Sequence, residues 1–207
     1  EMIILKVEVR ADGVHISGYV NAVMRESKPV VTKRNNVVTV VNEIIEEKVF
    51  QRALEKSMNV TAQLDHREDR VIADTSNGTL ELREDNIGLH AELRTSDKEV
   101  VENASKLSGW SFGFRNPTEE IEQRADKYPL RRITSLDIDH VALLLHKSPA
   151  YSATSIELRA EQEEVIETRS TEETVDFVDK SVETPSTEKE DLNYKMNNRL
   201  LEIKHNI

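Results

Sequence analysis

The sequence predicts an α+β protein that is mainly β. Short runs rich in Val, Ile, Leu and Thr recur between turn residues through the first 160 positions, and two segments among them have helical periodicity. The most apolar run, residues 141–145, is typical of a central strand that is buried on both faces. We therefore expect a core of antiparallel strands, arranged as a sheet or a barrel, with flanking helices and an acidic C-terminal tail.

The predicted strands begin with a hairpin. Residues 2–10 and 14–20 flank the sequence Ala-Asp-Gly at residues 11–13, which is typical of a tight turn. Further runs with strand character are residues 60–66, 78–83, 89–94, 110–114, 130–137 and 141–145. A polar loop is expected at residues 118–129.

Two helices are predicted from capping residues and apolar periodicity. Asn42 is the candidate N-cap of the first helix, whose apolar face ends near Met58. The second helix begins with the capping box Ser-Asp-Lys-Glu at residues 96–99, in which the serine oxygen accepts from the glutamate N–H. Gly109 follows at the position expected of a left-handed C-terminal cap.

Charge is distributed unevenly along the chain. Asp and Glu number 39 against 28 Lys and Arg, which gives a net charge of -11. Residues 161–190 contain eleven acids and three bases and have almost no apolar periodicity, so they cannot bury enough surface to offset their conformational entropy. We therefore divide the chain into a domain at residues 1–160, an acidic disordered linker at 161–190 and a short amphipathic helix at 191–207.

The composition excludes several classes of protein. The absence of Cys removes disulfide scaffolds, Cys nucleophiles and thiolate metal sites. The acidic excess leaves no basic surface for nucleic acid, and no apolar run approaches the length of a membrane span. No His spacing matches a common metal motif. We expect a soluble intracellular protein that binds no metal or other cofactor.

Serine and histidine side chains are the candidate catalytic groups. Ser111 lies in Gly-Trp-Ser-Phe-Gly at residues 109–113 and is either a nucleophile or a small residue packed in a strand. His66, at the end of a strand, is either a general base or an exposed residue of a charged loop. His140 is either catalytic or a core histidine bonded to a carbonyl group. The other histidines have no partner pattern and are expected to be structural or exposed: His15, His90, His146 and His205.

Three blocks of sequence carry a resemblance to a known family. They are Leu-Asp-His at residues 64–66, Gly-Trp-Ser-Phe-Gly-Phe at 109–114 and Asp-Ile-Asp-His-Val-Ala-Leu-Leu at 137–144, which Pro-Ala-Tyr follows at 149–151. In their order and spacing these blocks resemble the tailed-phage prohead proteases, which are serine proteases related in fold to herpesvirus assemblin. The resemblance extends over about residues 2–158 and implies an assemblin-like core.

The resemblance also implies a catalytic role for one residue of each block. Ser111 matches the nucleophile of the family, and His66 matches its general base. The family commonly has Glu as the third member, whereas this chain has His140 at the matching position, as in the Ser-His-His triad of the herpesvirus relatives. Asp139 and Asp137 are the alternatives for that role, ranked behind His140 because adjacent residues of a strand point to opposite faces.

By resemblance, the protein is a serine endopeptidase that acts inside the immature capsid, in the host cytoplasm. Its expected substrates are the scaffold, the scaffolding segment of the major capsid protein, and the protease itself. A homo-oligomer, expected to be a dimer, is implied, and neither nucleic acid nor membrane is an expected partner. The resemblance places the amides that stabilise the oxyanion near Arg131 and Arg132.

Two alternative functions remain at this stage. The first is a non-catalytic assembly protein that uses the same fold and tail as a scaffold. The second is an α/β-hydrolase that acts on a small ester, a function indicated only by the Gly-x-Ser-x-Gly pattern. That fold needs a helix directly after Ser111 and repeated strand–helix units, and the sequence predicts neither.

Overall fold

Strands dominate the structure, which confirms the prediction of a mainly β protein. The computed structural model describes residues 4–34, 37–146, 156–158, 165–170 and 174–181. In chain order the elements are β1 (Ile4–Arg10), β2 (Gly13–Ala22), β3 (Val30–Arg34), β4 (Val37–Ile45), α1 (Val49–Lys56), β5 (Thr61–Leu64), β6 (Val71–Asp74), β7 (Leu80–Glu84), β8 (Gly88–Thr95), α2 (Lys98–Glu102), a 3₁₀ turn (Ala104–Lys106), β9 (Gly109–Glu122), β10 (Leu130–Leu144), β11 (Ile156–Leu158), β12 (Val165–Ser170) and β13 (Thr174–Asp179).

The strands form two mixed sheets. The first has the order β13-β1-β2-β8-β7, and the second runs β11-β12-β9-β10-β4-β3, with β5 paired to β10 and β6 paired to β5. Neither sheet closes into a barrel within the described residues. The predicted hairpin is confirmed, because β1 and β2 pair antiparallel. The expectation of antiparallel strands is wrong for three pairs, since β1 is parallel to β13, and β10 is parallel to both β4 and β5.

The β9–β10 pair is longer than the sequence predicts. β9 continues through Asn116 and Pro117 into the expected polar loop, and β10 joins two predicted strands into one. Asn116 and Pro117 fall where the register shifts, so the proline, which has no N–H, interrupts no regular ladder bond. Further register shifts lie between Ile133 and His140 of β10. The long strand pair carries residues far apart in the chain into one site.

The prediction of a disordered linker is wrong for β12 and β13. Both strands lie within residues 161–190, and β12 pairs with β9 while β13 pairs with β1. Four consecutive residues of β12, Ile166 to Arg169, are buried. The acidic composition of this segment does not predict its strands, because charged residues of distant strands neutralise those of β12, as described below. Residues 161–164, 171–173 and 182–190 and the helix predicted at 191–207 lie outside the described residues.

Both helices begin at different residues from those predicted. Asn42 is not a helix cap but lies within β4, where its side-chain amide donates to the Ser27 carbonyl oxygen at 2.8 Å. The first helix, α1, starts only after Lys48. The cap of α2 is Asp97 rather than Ser96, because the Asp97 carboxylate accepts from two N–H groups in the first turn. Gly109 is the first residue of β9 and not a helix cap.

Aromatic packing fixes β9 in the core. Trp110, Phe112 and Phe114 are fully buried, and the Phe112 ring meets Phe50 of α1 edge-on with 5.3 Å between ring centroids. Alternation along a strand places these three side chains on one face and the intervening residues on the other. The strand that carries Ser111 is therefore held rigidly from one side. No helix in the described part of the chain has the length and apolar character needed to cross a membrane.

Candidate active site

Ser111 lies in the middle of the second sheet. In β9 it stands opposite Ala142 of β10 on one side and opposite Ser170 of β12 on the other, and its side chain is fully buried. The chain remains extended after Ser111, so the strand–helix junction of a nucleophile elbow is absent at this serine. The α/β-hydrolase alternative therefore lacks the local structure that it requires.

His66 occupies a left-handed turn directly after β5. Both Asp65 and His66 have positive φ angles, of 55° and 61°, which few residues other than Gly adopt, although Asp and His do so more readily than most. The Asp65 carboxylate accepts from the backbone N–H groups of Leu145 and His146, at 2.8 and 3.1 Å, and so ties the turn to the end of β10. His66 is only 6% exposed and is not the surface residue of the alternative interpretation.

The turn brings His66 between Ser111 and His140. The distance from Ser111 Oγ to His66 Nε2 is 2.7 Å, and that from His66 Nδ1 to His140 Nε2 is 2.6 Å. The two imidazole rings meet edge-on, with an angle of 78° between their planes. All three side chains are buried, so the hydrogen bonds act in a medium of low dielectric constant.

His140 fits only because its neighbour across the strands is a glycine. His140 of β10 stands opposite Gly113 of β9. A Cβ atom built on Gly113 would lie 2.9 Å from His140 Nδ1 and closer still to Cε1, inside normal contact distance. The second glycine of the Ser-Phe-Gly sequence thus provides the space for the third member of the constellation.

Of the two alternatives to His140, only Asp139 is near the site. Its Oδ2 lies 2.8 Å from His140 Nδ1, and its Oδ1 is paired with the Arg115 guanidinium. The expectation that Asp139 points away from His140 is wrong, because the register slips between Ile138 and His140, and Asp139 is the additional residue of that bulge. Asp137 instead accepts from the side-chain amide of Asn116 at 3.1 Å on the exposed side.

The Ser111 hydroxyl has a second partner. Its Oγ lies 2.7 Å from the carbonyl oxygen of Arg169 in β12. A hydroxyl has one proton and a carbonyl oxygen only accepts, so Ser111 donates to either Arg169 or His66 at any moment. For Ser111 to donate to His66, its hydroxyl proton must turn away from the Arg169 carbonyl oxygen.

A buried network of charged side chains, which the sequence analysis missed, holds β12 against the rest of the sheet. Arg131 donates to Glu43 and Glu167 at 2.9 and 2.7 Å and is also paired with Glu119, while Arg169 donates to Glu43 and Glu167 at 2.8 and 2.6 Å. The only signal in the sequence is a charged residue within an apolar run, as at Glu43 and Arg131. Single residues of this kind do not identify their partners.

The network favours the ionised forms of Glu167, Arg169 and Arg131. Burial alone would raise the pKa of Glu167, but the hydrogen bond from Arg131 and the charge of Arg169 outweigh it and lower the pKa below its ordinary value. Burial alone would lower the pKa of Arg169, whereas Glu43 and Glu167 raise it. The pKa of Arg131 is raised for the same reason. Removing one member would leave a buried charge without its partner.

The backbone of Arg131 and Arg132 is not close to Ser111 in the register. Arg131 pairs with Ile121 at the far end of β9 and with Glu43 of β4, so its strand has neighbours on both sides. The expected position of the oxyanion amides is therefore wrong, because the long β9–β10 pairing separates these residues from the serine.

The remaining histidines stand apart from this constellation. His15 lies beside Asp12, His90 beside Tyr19 and Arg83, and His146 beside Glu99. His205 lies outside the described residues. Among the residues that the structure describes, no group of three or more His, Asp or Glu side chains is arranged to hold a metal ion.

Comparison with known proteins identifies the family of the chain. A family model described as caudovirus prohead serine protease matches residues 3–169. The match includes all three sequence blocks and β12 up to Arg169. No curated protein matches the chain, and no solved structure does.

Proposed function

Because the chain belongs to the caudovirus prohead serine proteases, we propose that it is a serine endopeptidase with Ser111 as nucleophile, His66 as general base and His140 as the third member. The observation that carries the proposal is the unbroken series of hydrogen bonds from Ser111 Oγ through His66 to His140, with distances of 2.7 and 2.6 Å. The three residues come from three different strands or their ends, and burial excludes water from the contacts between them.

The reaction is acyl transfer to the serine. His66 Nε2 takes the Ser111 proton as Oγ attacks the carbonyl carbon of a peptide bond. His66 then returns the proton to the leaving amine as the C–N bond breaks, which leaves an ester on Ser111. A water molecule, activated by the same imidazole, hydrolyses this ester. His140 orients His66 through the Nδ1 hydrogen bond throughout.

The substrates follow from the family. We assign to this chain the scaffold or the scaffolding segment of the major capsid protein as substrates, together with self-cleavage, inside the procapsid in the host cell. A homodimer is the proposed assembly. The hydrogen bond from Ser111 to the Arg169 carbonyl, in a site that is fully buried, describes a resting state that a substrate strand must open.

The experiment that tests the proposal uses co-expression with the major capsid protein and scaffold of the same phage. We expect the wild-type chain to shorten these proteins and itself, and to be labelled by a fluorophosphonate probe. Ser111→Ala should abolish processing and labelling while the circular dichroism spectrum stays unchanged. Ser181→Ala, which removes an exposed hydroxyl, is the control and should retain full activity. Normal processing by Ser111→Ala would reject the proposal and favour a non-catalytic assembly protein.

A further inference from the structure

The hydrogen bonds of the site do not end at His140. His140 Nδ1 lies 2.8 Å from Asp139 Oδ2, and the side chain of Asp139 is only 7% exposed. Four groups are thus joined in one series: the hydroxyl of Ser111, the two imidazoles and a carboxylate. Arg115 of β9 pairs with the other carboxylate oxygen, so both oxygens of Asp139 have a fixed partner.

We propose that Asp139 is a positioning residue of this site, which acts through His140 by setting the tautomers of both histidines and by placing a negative charge behind them. The inference rests on the proposed roles of Ser111, His66 and His140 and adds a fourth residue to them. It assigns Asp139 a place beyond the triad rather than the third place that the sequence left open for it.

The number of donors and acceptors fixes the direction of the hydrogen bonds from Asp139 through His140 to His66. An ionised carboxylate only accepts, so His140 must carry its proton on Nδ1. A neutral His140 then has a bare Nε2, which accepts from His66 Nδ1–H. His66 Nε2 is consequently bare and faces the Ser111 hydroxyl as an acceptor, which is the state that a general base requires. The tautomer needed at His66 is thus determined by Asp139, which lies two hydrogen bonds away from it through His140.

Asp139 also supplies the charge that His140 lacks. When His66 takes the serine proton it becomes a cation, and a neutral His140 offers it a dipole but no negative charge. The other charged groups around the site have different partners: Asp65 accepts from the amides of Leu145 and His146, and Arg169 pairs with Glu43 and Glu167. The Asp139 carboxylate is therefore the negative charge that lies in line, through His140, with the imidazolium that forms at His66.

Because Arg115 pairs with one oxygen of Asp139, replacing the other oxygen by NH₂ should change the tautomers of both histidines. In Asp139→Asn the amide group has one oxygen and one NH₂. A guanidinium only donates, so it draws the amide oxygen of the new side chain to Arg115 and turns the NH₂ toward His140. The NH₂ then donates to His140 Nδ1, so the proton of His140 moves to Nε2. Two N–H groups would then face each other between His140 Nε2 and His66 Nδ1, unless His66 also moves its proton to Nε2. We therefore expect the isosteric substitution to reverse the tautomers.

The test compares Asp139→Asn with Asp137→Asn, a matched control on the same strand whose carboxylate bonds Asn116 near the surface. The measurement is kcat/KM for cleavage of a peptide or capsid-protein substrate between pH 5 and 9. Asp139→Asn should lose roughly ten- to a hundredfold, a part of the 10²–10⁴-fold that a positioned base contributes. The acid limb of its profile should move to lower pH, because a carboxylate that favours the protonated form of His66 has been removed.

If Asp139 had a merely structural role, Asp139→Asn would lower kcat/KM equally at every pH and leave the acid limb of the pH profile unchanged. Asp137→Asn should change neither the rate nor the limb. An unshifted limb in Asp139→Asn, or an equal effect of the two substitutions, would overturn the inference.

A second readout does not depend on proteolysis. Nitrogen-15 NMR of the histidine rings distinguishes protonated from bare ring nitrogens. We expect His140 to be protonated on Nδ1 in the wild-type chain and on Nε2 in Asp139→Asn. Identical tautomers in the two proteins would reject the role of Asp139 even if Ser111 is the nucleophile. Cleavage by Ser111→Ala would instead reject the proposed function and leave the NMR result standing.

Discussion

The imidazole of His140 lies against the backbone of Gly113, its partner across the β9–β10 pair, in the space that a Cβ atom would occupy. The contact explains why a glycine follows the serine by two residues in this strand. The φ angle of Gly113 is not in the left-handed region, so the space and not the backbone conformation requires the glycine.

Gly113→Ala should therefore preserve the fold and impair catalysis. We expect an overpacking cost of about 1–3 kcal/mol in the free energy of unfolding. We also expect a loss of roughly a hundredfold or more in kcat/KM, because the methyl group displaces His140 from His66. Urea unfolding and peptide cleavage measure the two effects.

The double variant Gly113→Ala with His140→Ala is the control for that prediction. Without the ring there is no clash, so the alanine at position 113 should no longer reduce stability. An additive cost in the double variant would show that the clash with His140 is not the cause.

His140→Glu tests the third position. A carboxylate there accepts from His66 Nδ1–H and carries a full charge, so activity should be retained within about tenfold or increased. Asp139 then becomes a second carboxylate beside the first, and like charges repel. Asp139→Asn, harmful in the wild-type chain, should be neutral or beneficial in this background. A folded but inactive His140→Glu chain would favour Asp139 as the third member.

Asp65→Ala should loosen the turn that carries His66. The substitution leaves the N–H groups of Leu145 and His146 without their acceptor and places Ala at a positive φ angle. The two hydrogen bonds are only part-buried, so we expect a cost of about 1 kcal/mol of stability, the lower end for an unsatisfied donor. The rate of cleavage should fall as well, since His66 loses its support. Chemical unfolding together with kcat/KM measures both losses.

Asp69→Ala is the matched control for Asp65→Ala. Asp69 lies in the same loop, but its carboxylate is exposed and pairs with Arg67. Its removal should change stability by no more than about 0.5 kcal/mol. Equal effects of the two substitutions would contradict the role given to the Asp65 hydrogen bonds.

The buried network predicts how stability depends on pH. The pKa of Glu167 is lower in the folded than in the unfolded chain, where its ordinary value is 4.5. The folded state therefore binds this proton less readily than the unfolded state. The stabilisation is fully present above about pH 4.5 and is lost as the pH falls through the folded pKa. Thermal unfolding between pH 7 and 3 should show a falling Tm in the acid range.

Glu167→Gln should be less stable by about 3–5 kcal/mol at neutral pH, because Arg131 and Arg169 lose part of their compensation. Its Tm should also vary less in the acid range. Glu8→Gln removes a partly exposed carboxylate that pairs with Arg10 and Lys180, and because solvent screens these pairs it should lower Tm much less than Glu167→Gln does. A Tm of Glu167→Gln that falls with acid as steeply as that of the wild type would contradict the assignment.

Local signals in the sequence predicted several features correctly. The turn at residues 11–13, the strand around Ser111 and the family membership all rest on short-range patterns or on motifs. The same motifs singled out Ser111, His66 and His140, and the fold brings both Ser111 and His140 within hydrogen-bond distance of His66. A motif preserves residue identity, and identity made these three positions the candidates for catalysis.

Long-range pairing decided the remaining features. β12 carries charges that composition assigns to a disordered linker, and it is buried because Arg131 and Glu43, from two distant strands, neutralise them. Asp139 reaches His140 only because a bulge breaks the alternation that would turn it away. The sequence by itself determined which residues were candidates and which strands were locally favoured. Tertiary structure decided register, burial and charge compensation, since these depend on partners that no local window of sequence contains.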